Sequence, residues 1–367
     1  MSLYERLLRP LLFRCDPEWV HHVTIRTGSG LGRLGPLRSV LDACCRVADP
    51  RLETEVCGLR FRNPIGLAAG YDKSGEAVAL LECLGFGHIE VGSVSAEASD
   101  GNPKPRLFRL PLDEAIVVHY GLQNDGAEVV AERLRGARRR QPLGINIVKT
   151  NKGIDAPPED EESIIADYLC SVRLLRGCGD YLMLNLSCPN TEMGRDFFGE
   201  GDHLVHLLSA LAGEELGCPL FLKLSPLGGS AYLEAVLSAA EGFDFVSGFA
   251  FNLAPGKTVP LRSPAELSEG MPGAVAGHPV RQMMNERIGE LYRRMERKRY
   301  RIIGIGGVAS AEDAYEKIRL GASLVQLLTG LVYGGPALVR RINRGLCRLL
   351  EADGFASVSR AVGSGNR

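Results

Sequence analysis

The stretch "LMLNLSCPNT" (182–191) sets a thiol, Cys188, between an apolar run and a Pro-Asn turn. A cysteine in that place can pack as a small hydrophobe, ligate a metal or carry a proton. Other polar residues stand in the same relation to apolar runs: Lys73 beyond "NPIGLAAG", Asn146 in "LGINIVKT", Lys223 in "LFLKLSP" and Asn252 in "FVSGFAFN". Amides hold a ligand by directional hydrogen bonds, and a lysine stabilises negative charge building on a neighbouring ring system, as on a flavin receiving a hydride. Taken singly, each also reads as a helix cap or an ordinary loop residue. "GIGGV" places Gly306 and Gly307 where backbone can approach a ligand closely, and "LTG" follows a later run. A loop-to-helix start offers N–H groups to an anion, so a phosphate-bearing cofactor fits both stretches.

Something must bring these residues to one place. Eight short apolar runs recur along the chain: "NPIGLAAG", "HIEVGSVS", "LGINIVKT", "YLMLNLSC", "LFLKLSP", "FVSGFAFN", "RIIGIGGV" and "SLVQLLTG". Between them lie stretches of helical period such as "GEAVALLECLG", "SIIADYLCSVRLL", "DHLVHLLSALAGEEL" and "PALVRRINRGLCRLLEAD". Continuous apolar strands alternating with helices suit a parallel sheet covered by helices, so the predicted fold class is α/β, a (β/α)8 TIM barrel. The barrel is expected from about Asn63 to Asp353, within a domain of residues 47–367. In that fold the strand ends and following loops share one mouth. Lys73, Asn146, Cys188, Lys223 and Asn252 are therefore expected to meet there.

Residues 1–46 lie outside the repeat and form a small N-terminal helical extension. In "DPEWVHH", Asp16 is a helix N-cap with Pro17 at the first helical position, and two short helices are expected. Leu3, Leu7, Leu8, Leu11, Leu12 and Phe13 are too many for one narrow stripe, and Arg6, Arg9 and Arg14 are interleaved with them. That pattern fits a helix lying on a membrane surface, and equally a helix packed on the barrel with its arginines solvated.

Composition removes several functions. With 43 basic and 44 acidic residues the net charge is -1, so nothing global attracts nucleic acid. Ten cysteines without paired CxxC spacing argue for a reducing compartment and against a zinc or disulfide framework; no metal is expected. No apolar run approaches the roughly 20 residues of a membrane span.

The chain resembles the quinone-linked (class 2) dihydroorotate dehydrogenases over nearly its whole length. The resemblance is carried by "DPEWVHH", "FRNPIGLAAGYDKSGEAV", "GFGHIEVGSVS", "GNPKPRLFRLP", "LGINIVK", "LNLSCPNT", "LKLSP", "RIIGIGGVASAEDAYEKIRLGASLVQLLTG" and "GFASVSRAVG". It implies an FMN in the barrel mouth, a dihydropyrimidine acid stacked on it, and a quinone arriving between the N-terminal helices. Ala69, Gly70, Ser93, Asn146, Asn185, Lys223, Gly277, Gly307, Leu328 and Thr329 would then surround FMN. Lys73, Asn185, Asn190 and Asn252 would hold substrate, Arg109 would line the quinone site, and Leu8, Leu11, Val20 and Val23 would line its tunnel. The resemblance implies that Cys188 is the catalytic base, where the quinone-linked class usually has serine and the cytosolic class cysteine. The expected location is the cytoplasmic face of a membrane, held peripherally through residues 1–30, or the cytoplasm.

The sequence departs from the family pattern at the substrate. Val118 stands where the family has an asparagine, Phe251 and Leu253 replace threonines, and Leu328 replaces a frequent tyrosine. Each change removes a polar contact, and Gln123 is the candidate to compensate. Three readings follow: a dihydroorotate:quinone oxidoreductase of pyrimidine biosynthesis, an FMN oxidoreductase of the same scaffold acting on another dihydro acid or cyclic amide, and a flavin-free barrel kept as a binding partner.

Overall fold

The computed structural model describes residues 2–366 except 138, 154, 155, 158 and 188–200. All eight expected runs contain barrel strands: β1 (Ile65–Leu67), β2 (His88–Val94), β3 (Leu143–Ile147), β4 (Tyr181–Asn185), β5 (Leu220–Leu224), β6 (Val246–Phe251), β7 (Arg301–Ile305) and β8 (Ala322–Leu327). Each pairs in parallel with its neighbours, and β8 closes on β1, giving a closed eight-stranded barrel wrapped by helices.

Alternation along each strand explains why the runs look uniformly apolar. In β4, Leu182 and Leu184 point outward into the layer beneath the helices, while Tyr181 and Met183 point into the barrel. Both layers are dry, and burying each leucine contributes about 2 kcal/mol. The barrel floor is closed by a hairpin (Thr54–Val56 with Leu59–Phe61) whose Val56 and Phe61 pack on Tyr181, Met183, Phe221 and Ile303. Inward positions nearer the mouth are polar. Asn185 and Lys223 lie side by side as register partners of β4 and β5.

Two features were not anticipated. An antiparallel sheet of Leu107–Leu110, Ala115–Val118 and Ala274–Gly277 stands beside the mouth, and it carries Arg109, Val118 and Gly277. The N-terminal extension holds more helix than the two short helices expected: Tyr4–Leu8 runs into Arg9–Leu12, followed by Pro17–Leu31 and Gly35–Cys45. Asp16 caps Pro17–Leu31 as predicted, accepting from the Trp19 N–H at 2.8 Å.

The extension is fastened to the barrel by its polar groups. The Tyr4 hydroxyl donates to the Val332 carbonyl (2.7 Å), and Arg9 donates to the Tyr333 carbonyl (3.1 Å). These anchors set the rotation of the first helix and correct the predicted tunnel lining. Val20 faces inward, but Leu8, Leu11 and Val23 are 53%, 60% and 41% exposed; Tyr4, Leu12, Pro17, His21 and Thr24 line the wall instead.

Candidate active site

The strand ends and the extension enclose one cavity of about 470 Å³, within the usual range for small-molecule sites. Ala69, Gly70, Lys73, Ser93, Arg109, Asn185, Lys223, Asn252, Gly277, Gly307, Leu328 and Thr329 all line it. Asn146 does not reach the cavity; it is fully buried behind Ser93. Cys188 and Asn190 lie outside the described residues.

One wall is built from backbone. Gly277 (φ 115°) and Gly307 (φ 70°) occupy the left-handed region. A Cβ on Gly307 would meet the Arg281 Cβ at 2.5 Å, so only glycine keeps that turn open. Beyond Gly307, Ser310 and Asp313 cap each other's backbone reciprocally and start helix Ala311–Leu320. Thr329 opens the segment Thr329–Gly334 after β8 on the same side. Gly277, Gly307 and Thr329 thus bring main chain to the cavity where a phosphate group would need N–H donors.

The opposite wall carries the polar side chains, and they are connected in series. Asn252 Nδ2 donates to Asn185 Oδ1 (2.8 Å), Asn185 Nδ2 to Ser93 Oγ (3.1 Å), Ser93 Oγ to Asn146 Oδ1 (2.5 Å), and Asn146 Nδ2 to Glu90 Oε1 (2.9 Å). The other Glu90 oxygen accepts from Tyr181 (3.0 Å) and Gln326 (2.8 Å). A carboxylate only accepts, so Glu90 fixes the direction of every amide above it. At the far end Asn252 also donates to the Ser187 carbonyl and accepts from the Leu253 N–H (2.9 Å), which holds it in the same sense.

Glu90 and Gln326 are fully buried and were not singled out from the sequence. The signal was present: in "HIEVG" and "LVQLL" they occupy inward positions of strands whose outward neighbours are apolar.

Lys73 sits on the substrate side with its Nζ 3.9 Å from the Tyr120 ring centre. Burial lowers its pKa to about 7, opposed by the Glu18 carboxylate and aided by the Arg106 guanidinium. His21 comes from the extension and donates through Nε2 to the Tyr71 carbonyl (2.7 Å). Burial, and then the charge of Lys73, holds its pKa down at about 3, so it stays neutral. Arg106 binds Glu18 (2.9 Å) and joins barrel to extension. Arg109 donates to the carbonyls of Leu12 (3.3 Å) and Cys15 (2.9 Å) and stacks over Phe13, at the end where the extension meets the cavity.

Gln123 does not supply the amide missing at Val118, because its Oε1 accepts from Arg106 at 2.9 Å. Val118, Leu253 and Leu328 gather with Ile116, Ala276 and Tyr333 into one apolar cluster on the cavity wall. Phe251 is buried in the main core.

With this geometry in place, the relatives of the chain can be stated. The family described as dihydroorotate dehydrogenase matches residues 51–350. A protein of Natronomonas pharaonis named dihydroorotate dehydrogenase (quinone) is 41% identical over 363 residues, covering 99% of each chain. One of the same name from Halobacterium salinarum is 42% identical over 367 residues, covering 98% of this chain and 99% of its own. Among solved structures, the DHODH of Eimeria tenella in complex with ferulenol aligns with a TM-score of 0.80 at 29% identity, covering 96% of both chains.

Proposed function

The chain belongs to the dihydroorotate dehydrogenase family, and from that premise we propose that it oxidises dihydroorotate to orotate and passes the electrons to a quinone, in pyrimidine biosynthesis. The enzyme is an oxidoreductase acting on a CH–CH bond, and its family implies a flavin, which we assign as FMN. The observation that carries the assignment is the single cavity, with a glycine-lined wall on one side, a directed amide wall on the other and the extension across its end. The extent of open backbone at Gly277 and Gly307, beside Thr329, fits the phosphate of a mononucleotide.

FMN, when bound, supplies a hydride acceptor that can be reoxidised by a quinone. The chain's own residues do the rest. Lys73, Asn185 and Asn252 orient the substrate by its carboxylate and amide edges, with Asn190 added from sequence position. Lys223 and Asn185, adjacent on β5 and β4, present a cation and a donor to the ring system and stabilise charge arriving there. Cys188 is assigned, from its place in "SCPN", as the base that takes the proton from substrate carbon. A thiol, with an ordinary pKa of about 8.5, ionises far more easily than a serine hydroxyl.

Residues 1–46 are assigned as the quinone-access and membrane-contact extension of a barrel spanning 47–367. Leu3, Leu7, Leu8, Leu11 and Trp19 are all more than half exposed, an apolar surface suited to the interfacial layer of a bilayer, where a lipid-soluble quinone resides. Among the described residues no helix is long and apolar enough to cross a membrane. Peripheral attachment at the cytoplasmic face of a membrane follows from this reading.

The apolar cluster at Val118, Leu253 and Leu328 favours a second substrate, a dihydro acid or cyclic amide with a less polar edge. Anaerobic addition of dihydroorotate to the yellow protein should bleach the flavin, and denaturation should release FMN. Deleting residues 1–40 should leave bleaching intact and cripple reoxidation by a ubiquinone analogue. Bleaching by another dihydro-heterocycle but not by dihydroorotate selects the second substrate. Release of FAD, or full quinone turnover by the truncated protein, overturns the cofactor or the tunnel assignment respectively.

A further inference from the structure

We propose that Glu161, His203 and His206 form a binding site for a divalent ion of the zinc type, outside the catalytic cavity. The sequence gives no hint of it, since the carboxylate and the imidazoles lie far apart in the chain. They meet because helices Glu161–Leu175 and Gly201–Leu211, which follow β3 and β4, pack side by side. Leu204, Leu207, Leu208 and Leu211 are completely buried and lock the rotation of the second helix. That rotation leaves His203 and His206, one turn apart, on its shoulder.

Both imidazoles aim the same ring nitrogen at one atom. His203 Nδ1 lies 2.6 Å and His206 Nδ1 2.9 Å from Glu161 Oε1. All three ligand atoms fall within 4.8 Å of one another, and this is the one such group among the described residues. As hydrogen bonds alone, the arrangement needs a proton on each Nδ1 and one oxygen shared by both. A single ion in their place satisfies all three lone pairs at once. Tetrahedral bonds of about 2.0–2.2 Å put ligand atoms about 3.3 Å apart, so the rings need withdraw by only about half an ångström.

The surroundings suit a cation that arrives from solution. The side chains of Glu161, His203 and His206 are 29%, 28% and 58% exposed, which leaves room for water as a fourth ligand. Asp160, Glu162 and Asp202 flank the ligands in sequence and are exposed. The partial positive charge at the start of helix Glu161–Leu175 opposes this, but the Asp160 carboxylate caps it by accepting from the Ser163 N–H at 2.8 Å. Lys152 is engaged by Glu159 at 2.8 Å, and Lys149 pairs with the same carboxylate. Two imidazole nitrogens and one carboxylate oxygen select zinc, cobalt, nickel or copper over magnesium and calcium, which require oxygen ligands. The bound ion would cross-link the starts of two consecutive helices on the face where the barrel opens. None of the three ligands lines the cavity, so flavin reduction by substrate does not depend on it.

Calorimetric titration of the untagged, flavin-loaded protein with zinc chloride tests the site, with His206→Ala and Glu161→Gln alongside. Exposed thiols such as Cys15, Cys44 and Cys170 are common to all three proteins, so the difference isolates this site. One equivalent of zinc should lose affinity by at least about tenfold in each variant, with flavin absorbance and metal-free melting temperature unchanged. Zinc should raise the melting temperature of the unaltered protein more than that of either variant. Equal stoichiometry and affinity in all three proteins, or displacement of zinc by millimolar magnesium, overturns the proposal. Should His206→Ala fail to fold, His203→Gln carries the same comparison.

Discussion

Glu90→Gln keeps the shape of the side chain and removes its acceptor-only character, so it probes whether this carboxylate orients the amide wall. Tyr181 and Gln326 both donate to one Glu90 oxygen, and Asn146 alone donates to the other. A glutamine therefore keeps its oxygen toward the two donors and turns its NH2 on Asn146. Asn146 must then flip, Ser93 must redirect its hydroxyl, and Asn185 must flip in turn. The reversal stops at Asn252, which the Leu253 N–H and the Ser187 carbonyl hold in place. One mismatched pair is left beside the cavity, at a cost of about 1–3 kcal/mol. Expressed in the transition state, that is about a 10-fold to 100-fold slower reduction of the flavin by dihydroorotate. Anaerobic stopped-flow of flavin-replete Glu90→Gln protein reads this rate directly. A rate within threefold of the unaltered enzyme, with flavin fully bound, would refute the idea that Glu90 sets the direction of the wall.

Cys188→Ala should retain FMN while slowing flavin reduction by about 100-fold to 10,000-fold, the usual worth of a positioned base; Cys188→Ser should recover part of the rate with its pH profile displaced upward, and a near-normal alanine variant would return the thiol to packing. Lys73 holds a substrate carboxylate only as an ammonium, so with a pKa near 7 in the free enzyme the KM for dihydroorotate should climb about tenfold per pH unit above 7. The sign for stability is opposite to that of an ion-paired carboxylate. Lys73 titrates below its unfolded value of 10.5, so its burial cost is fully present below pH 7 and is relieved as pH rises toward 10.5. In Lys73→Met protein the melting temperature should lose this upward component between pH 7 and 10; an unchanged slope would mean that the lysine is solvated in the folded state.

The barrel could be read from the sequence because parallel strands covered on both sides are apolar without interruption, and eight such runs leave few architectures open. The same uniformity hid Glu90 and Gln326, since a run judged by its average hydropathy conceals one polar inward position. The antiparallel sheet was illegible for a different reason. Ala274–Gly277 pairs with Ala115–Val118 across a long stretch of intervening chain, and nothing local in either segment names its partner. Direction was equally hidden in the extension. Its excess of leucines signalled two apolar surfaces, but which leucines face the tunnel depends on Tyr4 and Arg9 reaching Val332 and Tyr333. Gln123 shows the limit of reading compensation from proximity, because Arg106 claims its oxygen first.

Those same anchors impose an order on biosynthesis. Tyr4 is bound by a carbonyl 328 residues later, Arg9 by one 324 residues later, and Glu5 by Arg341, 336 residues later. The first segment to leave the ribosome is therefore the last to find its seat, and at ~5–20 residues per second it waits tens of seconds with its leucines uncovered. A nascent chain in that condition is drawn to whatever apolar surface lies nearest, a chaperone or a bilayer, before the catalytic barrel exists. Docking of the extension then reports that β8 and the segment after it are complete, so an unfinished barrel cannot display a finished entrance.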